Sequence, residues 1–201
     1  MADRPIISVA ELHSALLGAQ PPTVLDVRWS LAGPPGRELY GAGHIPTASF
    51  CDLDTDLADP PSPRVTQGRH PLPDPSRFQA AMRRLGVRGG GDVVVYDAAD
   101  ASVAARAWWC LRYYGHRQVR VLDGGFAAWQ AGGHSIEQGE ATAPPMGDFV
   151  AEPGNMPTVA ASDLPDLVAT GLLIDARAAV RYRGESEPVD PVAGHIPGAV
   201  N

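Results

Sequence analysis

The chain has 201 residues, of which 44% are hydrophobic and 19% charged, a composition typical of a folded globular protein. Its formal net charge of −7 argues against a nucleic-acid partner and against binding to an anionic membrane surface. The sequence contains neither a signal-peptide pattern nor an apolar run of about eighteen residues, so it predicts a cytoplasmic protein. Two cysteines are too few for a disulfide framework, and the six histidines follow no metal-binding spacing, so no metal is predicted.

The first predicted elements are a helix and two strands. Ser8 and Glu11 form a capping-box pattern that opens a helix, which Gly18 can end. Residues 23–27 form an apolar run with a polar end, which predicts a buried strand followed by a loop. Residues 48–50 predict a further short strand.

The later elements alternate regularly between helices and strands. Asp74 followed by Pro75 is an N-cap with proline at the first helical position. The predicted order is helix, strand, helix, strand, helix, at residues 75–85, 92–96, 102–114, 119–122 and 126–131. Short connections between alternating strands and helices predict an α/β fold with a parallel sheet and helices on both faces.

An internal repeat divides the chain. Residues 24–28 read Val-Leu-Asp-Val-Arg and residues 42–48 read Ala-Gly-His-Ile-Pro-Thr-Ala. Closely similar segments occur again as Leu-Ile-Asp-Ala-Arg at residues 173–177 and Ala-Gly-His-Ile-Pro-Gly-Ala at residues 193–199. A repeat of this length predicts two copies of one structural module.

The repeat predicts a domain organisation. Residues 1–133 form the first domain, and residues 134–157, with four prolines and three glycines, form a linker. Residues 158–201 start a second domain that stops on the order of 80 residues short of the first by the repeat logic. We therefore expect the sequence to be incomplete in its second copy.

The order of these motifs resembles the tandem rhodanese family. The resemblance rests on four motifs in this order: Asp-x-Arg after a strand, Gly-His-Ile-Pro, Val-Val-Val-Tyr and Leu-Asp-Gly-Gly-Phe-x-x-Trp. The resemblance implies two rhodanese-like domains and a sulfurtransferase activity without a cofactor. Such an enzyme moves sulfane sulfur from thiosulfate or 3-mercaptopyruvate to cyanide or a thiol through a cysteine persulfide.

The resemblance also places the nucleophile. It implies a cysteine on the loop after the Val-Val-Val-Tyr strand of the second domain, where backbone N–H groups at a helix N-terminus lower a thiol pKa. The equivalent position of the first domain holds Asp97, which cannot attack a sulfane sulfur. We therefore expect a non-catalytic first domain, no catalytic residue among the 201, and a nucleophile beyond residue 201.

The resemblance implies further roles around the second Asp-x-Arg segment. It assigns Arg181 to the anionic sulfur donor, which a guanidinium can hold through two parallel hydrogen bonds. Asp175, Arg177 and His195 are expected to support the loops. In 3-mercaptopyruvate enzymes a second arginine is expected after the Glu-Pro pair, but Val189 is found here, which favours thiosulfate. The alternative that Arg183 substitutes for that arginine stays open.

The two cysteines of the chain are expected to be unreactive. Cys110 falls on one helical face with Val103, Ala107 and Tyr114, which predicts a core thiol. Cys51 lies among carboxylates, which raise the pKa of a thiol.

The sequence also bears on three functions other than sulfur transfer. A non-catalytic rhodanese-like module that binds an anion or a protein stays open as the alternative. A phosphatase or arsenate reductase needs Cys-x5-Arg at the strand-to-helix turn, and Asp97 and Val103 occupy its two ends. A dinucleotide fold is excluded because the glycines 89–91 precede a strand instead of following one.

Overall fold

A computed structural model describes residues 4–61 and 68–201. By its internal contacts the chain divides into two compact units, Met1–Met156 and Pro157–Asn201. The strands of the first unit are β1 (Ile6–Ile7), β2 (Thr23–Asp26), β3 (Ser49–Phe50), β4 (Val93–Tyr96) and β5 (Val119–Leu122). Its helices are α1 (Val9–Leu16), α2 (Gly36–Ala42), α3 (Pro75–Arg84), α4 (Ser102–Tyr113) and α5 (Gly125–Ala131).

The five strands form one parallel sheet in the order β1-β5-β4-β2-β3. Strand β2 pairs with β3 on one side, where Leu25 lies opposite Ser49, and with β4 on the other, where Leu25 lies opposite Val95. The prediction of an α/β fold with a parallel sheet is confirmed.

Both faces of the sheet are buried. Alternate residues of β4 point to opposite sides: Val93 and Val95 join one apolar core, and Val94 and Tyr96 join the other. Helices α3 and α4 cover the first face, and α1 and α5 cover the second. Helices on both faces, as predicted, explain why β4 is apolar throughout.

The capping signals place helix starts accurately. Ser8 accepts a hydrogen bond from the backbone of Glu11, whose side chain accepts one from the Ser8 backbone, so the predicted capping box is present. Asp74 caps α3 with Pro75 at its first turn. Helix α1 ends at Leu16 with Leu17 as its C-cap, so Gly18 follows the cap as predicted, and its N–H donates to the carbonyl of Ala15.

Two elements have no clear sequence signal. Strand β1 contains two residues, and its extended shape depends on pairing with β5. Helix α2 starts after Pro35 without a side-chain cap, and its sequence Gly-Arg-Glu-Leu-Tyr-Gly-Ala carries two glycines. Tertiary contacts of the buried Tyr40, more than local propensity, stabilise this helix.

The segment 134–156 belongs to the first unit and packs against its other residues. Glu137 and His44 exchange backbone hydrogen bonds of 2.8 and 2.9 Å, and Phe149 is buried with its N–H on the carbonyl of Val87. Gly147 lies so close to Val87 that an added Cβ would come within 1.9 Å of the carbonyl oxygen. These contacts hold residues 137–149 against the rest of the first unit, and the assignment of residues 134–157 to a linker stays a prediction.

The second unit is small and exposed. It contains a 3₁₀ turn (Ala161–Asp163) followed by α6 (Leu164–Thr170) and α7 (Ala179–Tyr182). Across residues 157–201, all of which are described, Ala199 is the single buried residue, whereas Leu172 and Ile174 are 67% and 64% exposed. None of the helices in the described part of the chain is long and apolar enough to cross a membrane.

Candidate functional site

A buried ion pair stands at the carboxyl end of β2. Arg28 donates from Nε to both oxygens of Asp26 at 3.0 Å and from Nη2 to Oδ2 at 2.6 Å. Its Nη2 also donates to the carbonyl of Gly43 at 2.6 Å, and the Tyr96 hydroxyl donates to Asp26 at 2.8 Å. Both side chains are almost fully buried, so this pair fixes the Gly-His-Ile-Pro loop to the sheet.

The same contacts recur in the second unit. Arg177 donates from Nε to Asp175 at 3.0 and 3.1 Å, and from Nη2 to the same carboxylate at 2.7 Å and to the carbonyl of Gly194 at 2.5 Å. Ile174 forms a parallel bridge with Val200, where the first unit pairs β2 with β3. The repeated text therefore forms the same local geometry twice.

A tyrosine and a histidine stack beside each ion pair. The rings of Tyr182 and His195 are 3.9 Å apart, and the Nδ1 of His195 lies 2.7 Å from the carbonyl of Tyr182. The Tyr182 hydroxyl donates to the carbonyl of Ala199. Tyr40 and His44 make the equivalent stack in the first unit, also at 3.9 Å. Each histidine therefore contacts its own loop, and a supporting role for His195 stays a prediction.

The two copies differ in the order of the loop and the helix that carries the tyrosine. In the first unit the connecting loop follows Arg28 and precedes helix α2, which carries Tyr40. In the second unit α7 with Tyr182 follows Arg177 almost at once, and the loop lies after it, at residues 184–193. The sequence does not reveal this difference, because the aspartate and the histidine are 44 − 26 = 18 residues apart in the first copy and 195 − 175 = 20 in the second.

A cradle of backbone N–H groups forms the turn between β4 and α4. The Asp97 carboxylate, 4% exposed, accepts hydrogen bonds of 3.1 Å from the backbone N–H of Ala101, Val103 and Ala104. Ala101 has a positive φ of 63°, which turns these N–H groups inward. Asp97 therefore occupies the place where a helix N-terminus would otherwise receive an external anion.

Replacing Asp97 by alanine is expected to destabilise the first unit by about 2–3 kcal/mol, because three N–H donors lose a buried charged acceptor. Guanidinium unfolding followed by tryptophan fluorescence measures this, since all four tryptophans lie in the first unit. The control Asp100→Ala removes an exposed carboxylate of the same loop, which accepts hydrogen bonds from the backbone N–H and the hydroxyl of Ser102. It is expected to cost at most about 1 kcal/mol. Equal losses of unfolding free energy in the two variants would contradict the stabilising role given to the hydrogen bonds of Asp97.

Both cysteines are buried in the first unit. Each has 0% exposure, and Cys110 lies in the core with Ala107 and Tyr114, as the helical pattern predicts. Burial raises the pKa of the Cys110 thiol to about 11. Burial is also the largest cause that raises the pKa of Cys51, and the Asp56 carboxylate raises it further, in the direction that the sequence predicted for its acidic neighbours.

The folded chain is therefore expected to be inert toward a disulfide reagent such as dithionitrobenzoate at pH 8. A raised pKa leaves both groups as thiols, and burial blocks the reagent. In denaturant both cysteines are expected to react. Stoichiometric labelling of the native chain at the rate of the unfolded one would contradict this account of Cys51 and Cys110.

Arg181 lies in a network of charges on the second unit. Its Nε donates to both oxygens of Glu187 at 3.1 Å, and its Nη2 donates to Glu187 and to Asp190 at 2.7 Å each. Arg177 approaches the Oε2 oxygen of Glu187 at 3.3 Å. The Arg181 guanidinium, followed by the backbone N–H of Asp190, lowers the pKa of Glu187 to about 2.

This network changes the expected way in which Arg181 could hold an anion. The family resemblance assigns its planar fork of two nitrogens to the donor, but that fork is engaged by Glu187 in the structure. Its Nη1 makes no hydrogen bond with any residue that the structure describes. The role of Arg181 in donor binding stays a prediction.

Sequence reasoning missed two features near these loops. The ion pairs of Glu187 were not predicted, although a glutamate placed after two arginines is a signal for such contacts. In the first unit, His70 Nε2 lies 3.0 Å from Asp54, whose other oxygen accepts a hydrogen bond from the Trp29 indole. Residues 62–67 between Asp54 and His70 lie outside the described part of the chain.

Metal ligands do not cluster in residues 4–61 and 68–201: no group of three or more histidine, cysteine or acidic side chains there could hold an ion.

Known proteins share this fold and sequence. Residues 8–132 match the model of the rhodanese-like domain. The chain is 42% identical over 201 residues to a protein of Mycobacterium tuberculosis provisionally named thiosulfate sulfurtransferase SseB, covering 98% of this chain and 69% of that protein. It is 38% identical over 185 residues to 3-mercaptopyruvate sulfurtransferase of Escherichia coli K12, covering 89% of this chain and 64% of that enzyme.

The crystal structure of the 3-mercaptopyruvate sulfurtransferase SseA from Escherichia coli superposes with a TM-score of 0.83 at 33% identity, covering 98% of this chain and 74% of that one. The chain thus spans about two-thirds of the length of these two curated relatives. The domain match, the sequence identity and the superposition all indicate the same family. This chain belongs to the rhodanese family of sulfurtransferases.

Proposed function

We propose that the whole protein is a sulfurtransferase whose nucleophilic cysteine lies in the part beyond residue 201. The proposal rests on one observation: neither cysteine of the chain is accessible, and the anion-binding N–H groups of the first unit already bind a carboxylate. Cys51 and Cys110 are fully buried with raised pKa values, and the N–H cradle of the first unit holds the Asp97 carboxylate. The first domain is therefore a non-catalytic copy.

The contacts of the second unit support a nucleophilic cysteine in the part of the protein beyond residue 201. It repeats the ion pair and the Gly-His-Ile-Pro loop that, in the first unit, precede the β4–α4 turn with Asp97. We infer that residues 157–201 begin a second rhodanese-like domain, and that its own strand-to-helix turn presents the cysteine to a cradle of N–H groups. Lengths of the relatives agree with a further segment.

The proposed reaction has two steps of sulfur transfer. The thiolate attacks the sulfane sulfur of thiosulfate, the sulfur–sulfur bond breaks, and sulfite leaves with the electron pair, which gives a cysteine persulfide. The carbon of cyanide, or an acceptor thiolate, then attacks the outer sulfur and restores the thiolate. Thiosulfate is the favoured donor because Val189 replaces the second arginine expected for 3-mercaptopyruvate.

The test is formation of thiocyanate from thiosulfate and cyanide by the 201-residue chain and, in parallel, by the whole protein. We expect activity in the whole protein alone, and we expect it to survive the substitutions Cys51→Ser and Cys110→Ala. Activity of the chain by itself would contradict the proposal. Inactivity of both with either donor would favour the alternative, a non-catalytic module, which the occupied cradle at Asp97 also suits.

A further inference from the structure

Glu187 is itself held by backbone hydrogen bonds while it binds the side chain of Arg181. Its side chain is 5% exposed, and its Oε1 accepts hydrogen bonds from the backbone N–H of Val189 at 3.1 Å and of Asp190 at 3.0 Å. These two bonds fix the carboxylate on its own loop. The position of Glu187 therefore depends on the backbone and not on Arg181 alone.

A second set of contacts ties Glu187 to the Asp-x-Arg segment of the unit. Its Oε2 lies 3.3 Å from Nη1 of Arg177, which is itself held by Asp175 and by the carbonyl of Gly194. The guanidinium of Arg181 thus lies at the end of a continuous chain of charged hydrogen bonds that starts at Asp175.

The contacts of Glu187 select one edge of the Arg181 guanidinium. Nε and one N–H of Nη2 bind the carboxylate, and the other N–H of Nη2 binds Asp190, whose side chain is 42% exposed. The two N–H groups of Nη1 have no partner among residues 4–61 and 68–201. An arginine held in this way offers Nη1 to a small anion in one defined direction.

We infer that Glu187 is the positioning residue for the donor-binding arginine: it holds the Nε and Nη2 edge of Arg181 and leaves Nη1 to contact the anionic sulfur donor. The inference rests on the proposed function, because it requires that Arg181 meets thiosulfate. Pre-set orientation lowers the cost of ordering a long side chain when the substrate binds.

The test compares Glu187→Gln with Glu185→Gln in the whole protein. Both variants remove one negative charge, two residues apart, but Glu185 is exposed and pairs with Arg183. We expect Glu187→Gln to raise the KM for thiosulfate about tenfold, corresponding to about 1.4 kcal/mol, with kcat within roughly twofold. Glu185→Gln is expected to leave both constants within roughly twofold of the unaltered protein.

A double-mutant cycle separates positioning from general support of the fold. In an Arg181→Ala background, Glu187→Gln is expected to cause no further loss of kcat/KM, since the group that it positions is gone. An equal loss in both backgrounds would show a structural role and overturn the inference. If Glu187→Gln does not fold, Glu187→Asp keeps the charge on a shorter side chain, and the same cycle applies to it.

The outcomes distinguish this inference from the proposed function. An unaltered whole protein without activity on thiosulfate or mercaptopyruvate overturns both. An active protein in which Glu187→Gln behaves like Glu185→Gln overturns the inference alone.

Discussion

Substitution of Asp26 by alanine is expected to destabilise the first unit by about 3–5 kcal/mol, the largest effect on stability that we predict. The change leaves the guanidinium of Arg28, 6% exposed, without its counter-charge, and it removes the acceptor of the buried Tyr96 hydroxyl. The carbonyl of Gly43 alone cannot neutralise the arginine. Guanidinium unfolding followed by the tryptophans of the first unit measures the free energy.

The matched control is Asp92→Ala, which also removes the carboxylate of an aspartate–arginine pair. Asp92 is 52% exposed and lies 3.3 Å from Arg120, so its loss is expected to cost less than about 1 kcal/mol. A cost for Asp26→Ala no larger than that of this control would refute the view that the buried ion pair anchors the Gly-His-Ile-Pro loop.

Substitution of Arg181 by alanine in the whole protein is expected to lower kcat/KM for thiosulfate on the order of 100-fold, equivalent to about 2.7 kcal/mol. The reason is the loss of the cation assigned to the doubly charged donor, together with exposure of Glu187 and Asp190 to that anion. The readout is the rate of thiocyanate formation against thiosulfate concentration.

Arg183→Ala is the control for this variant. Arg183 is 51% exposed, lies two residues away and pairs with Glu185, so its loss is expected to change kcat/KM by less than about threefold. A large effect of Arg183 with a small effect of Arg181 would transfer the donor-binding role to Arg183. Unchanged kinetics in both variants would place the donor elsewhere.

Local signals predicted the helix starts and the apolar strands because their causes are local. A serine or aspartate that caps its own helix, as Ser8 and Asp74 do, can be recognised without knowledge of the fold. The apolar run of β4 was equally clear, because a strand buried on both faces needs apolar residues throughout. The repeated text likewise predicted a repeated geometry, which the contacts of Arg28 and Arg177 display.

Features set by distant contacts were not predicted. Helix α2 has weak propensity and depends on Tyr40, whose hydroxyl reaches the carbonyl of Ala48. Glu187 lies only six residues from Arg181, and a glutamate after two arginines is a signal for an ion pair. The sequence does not show which edge of the guanidinium the carboxylate binds, because that depends on the loop hydrogen bonds from Val189 and Asp190. Asp54 and His70, sixteen residues apart in the sequence, are brought together by tertiary structure.

If a cysteine outside these 201 residues carries the sulfur, that cysteine should become a persulfide when the whole protein meets thiosulfate. The most direct measurement is mass spectrometry of peptides from the whole protein after incubation with thiosulfate and capping of persulfides. Our account predicts the added mass of one sulfur atom on a single cysteine beyond residue 201, with Cys51 and Cys110 unmodified. A persulfide on Cys51 or Cys110 would contradict it.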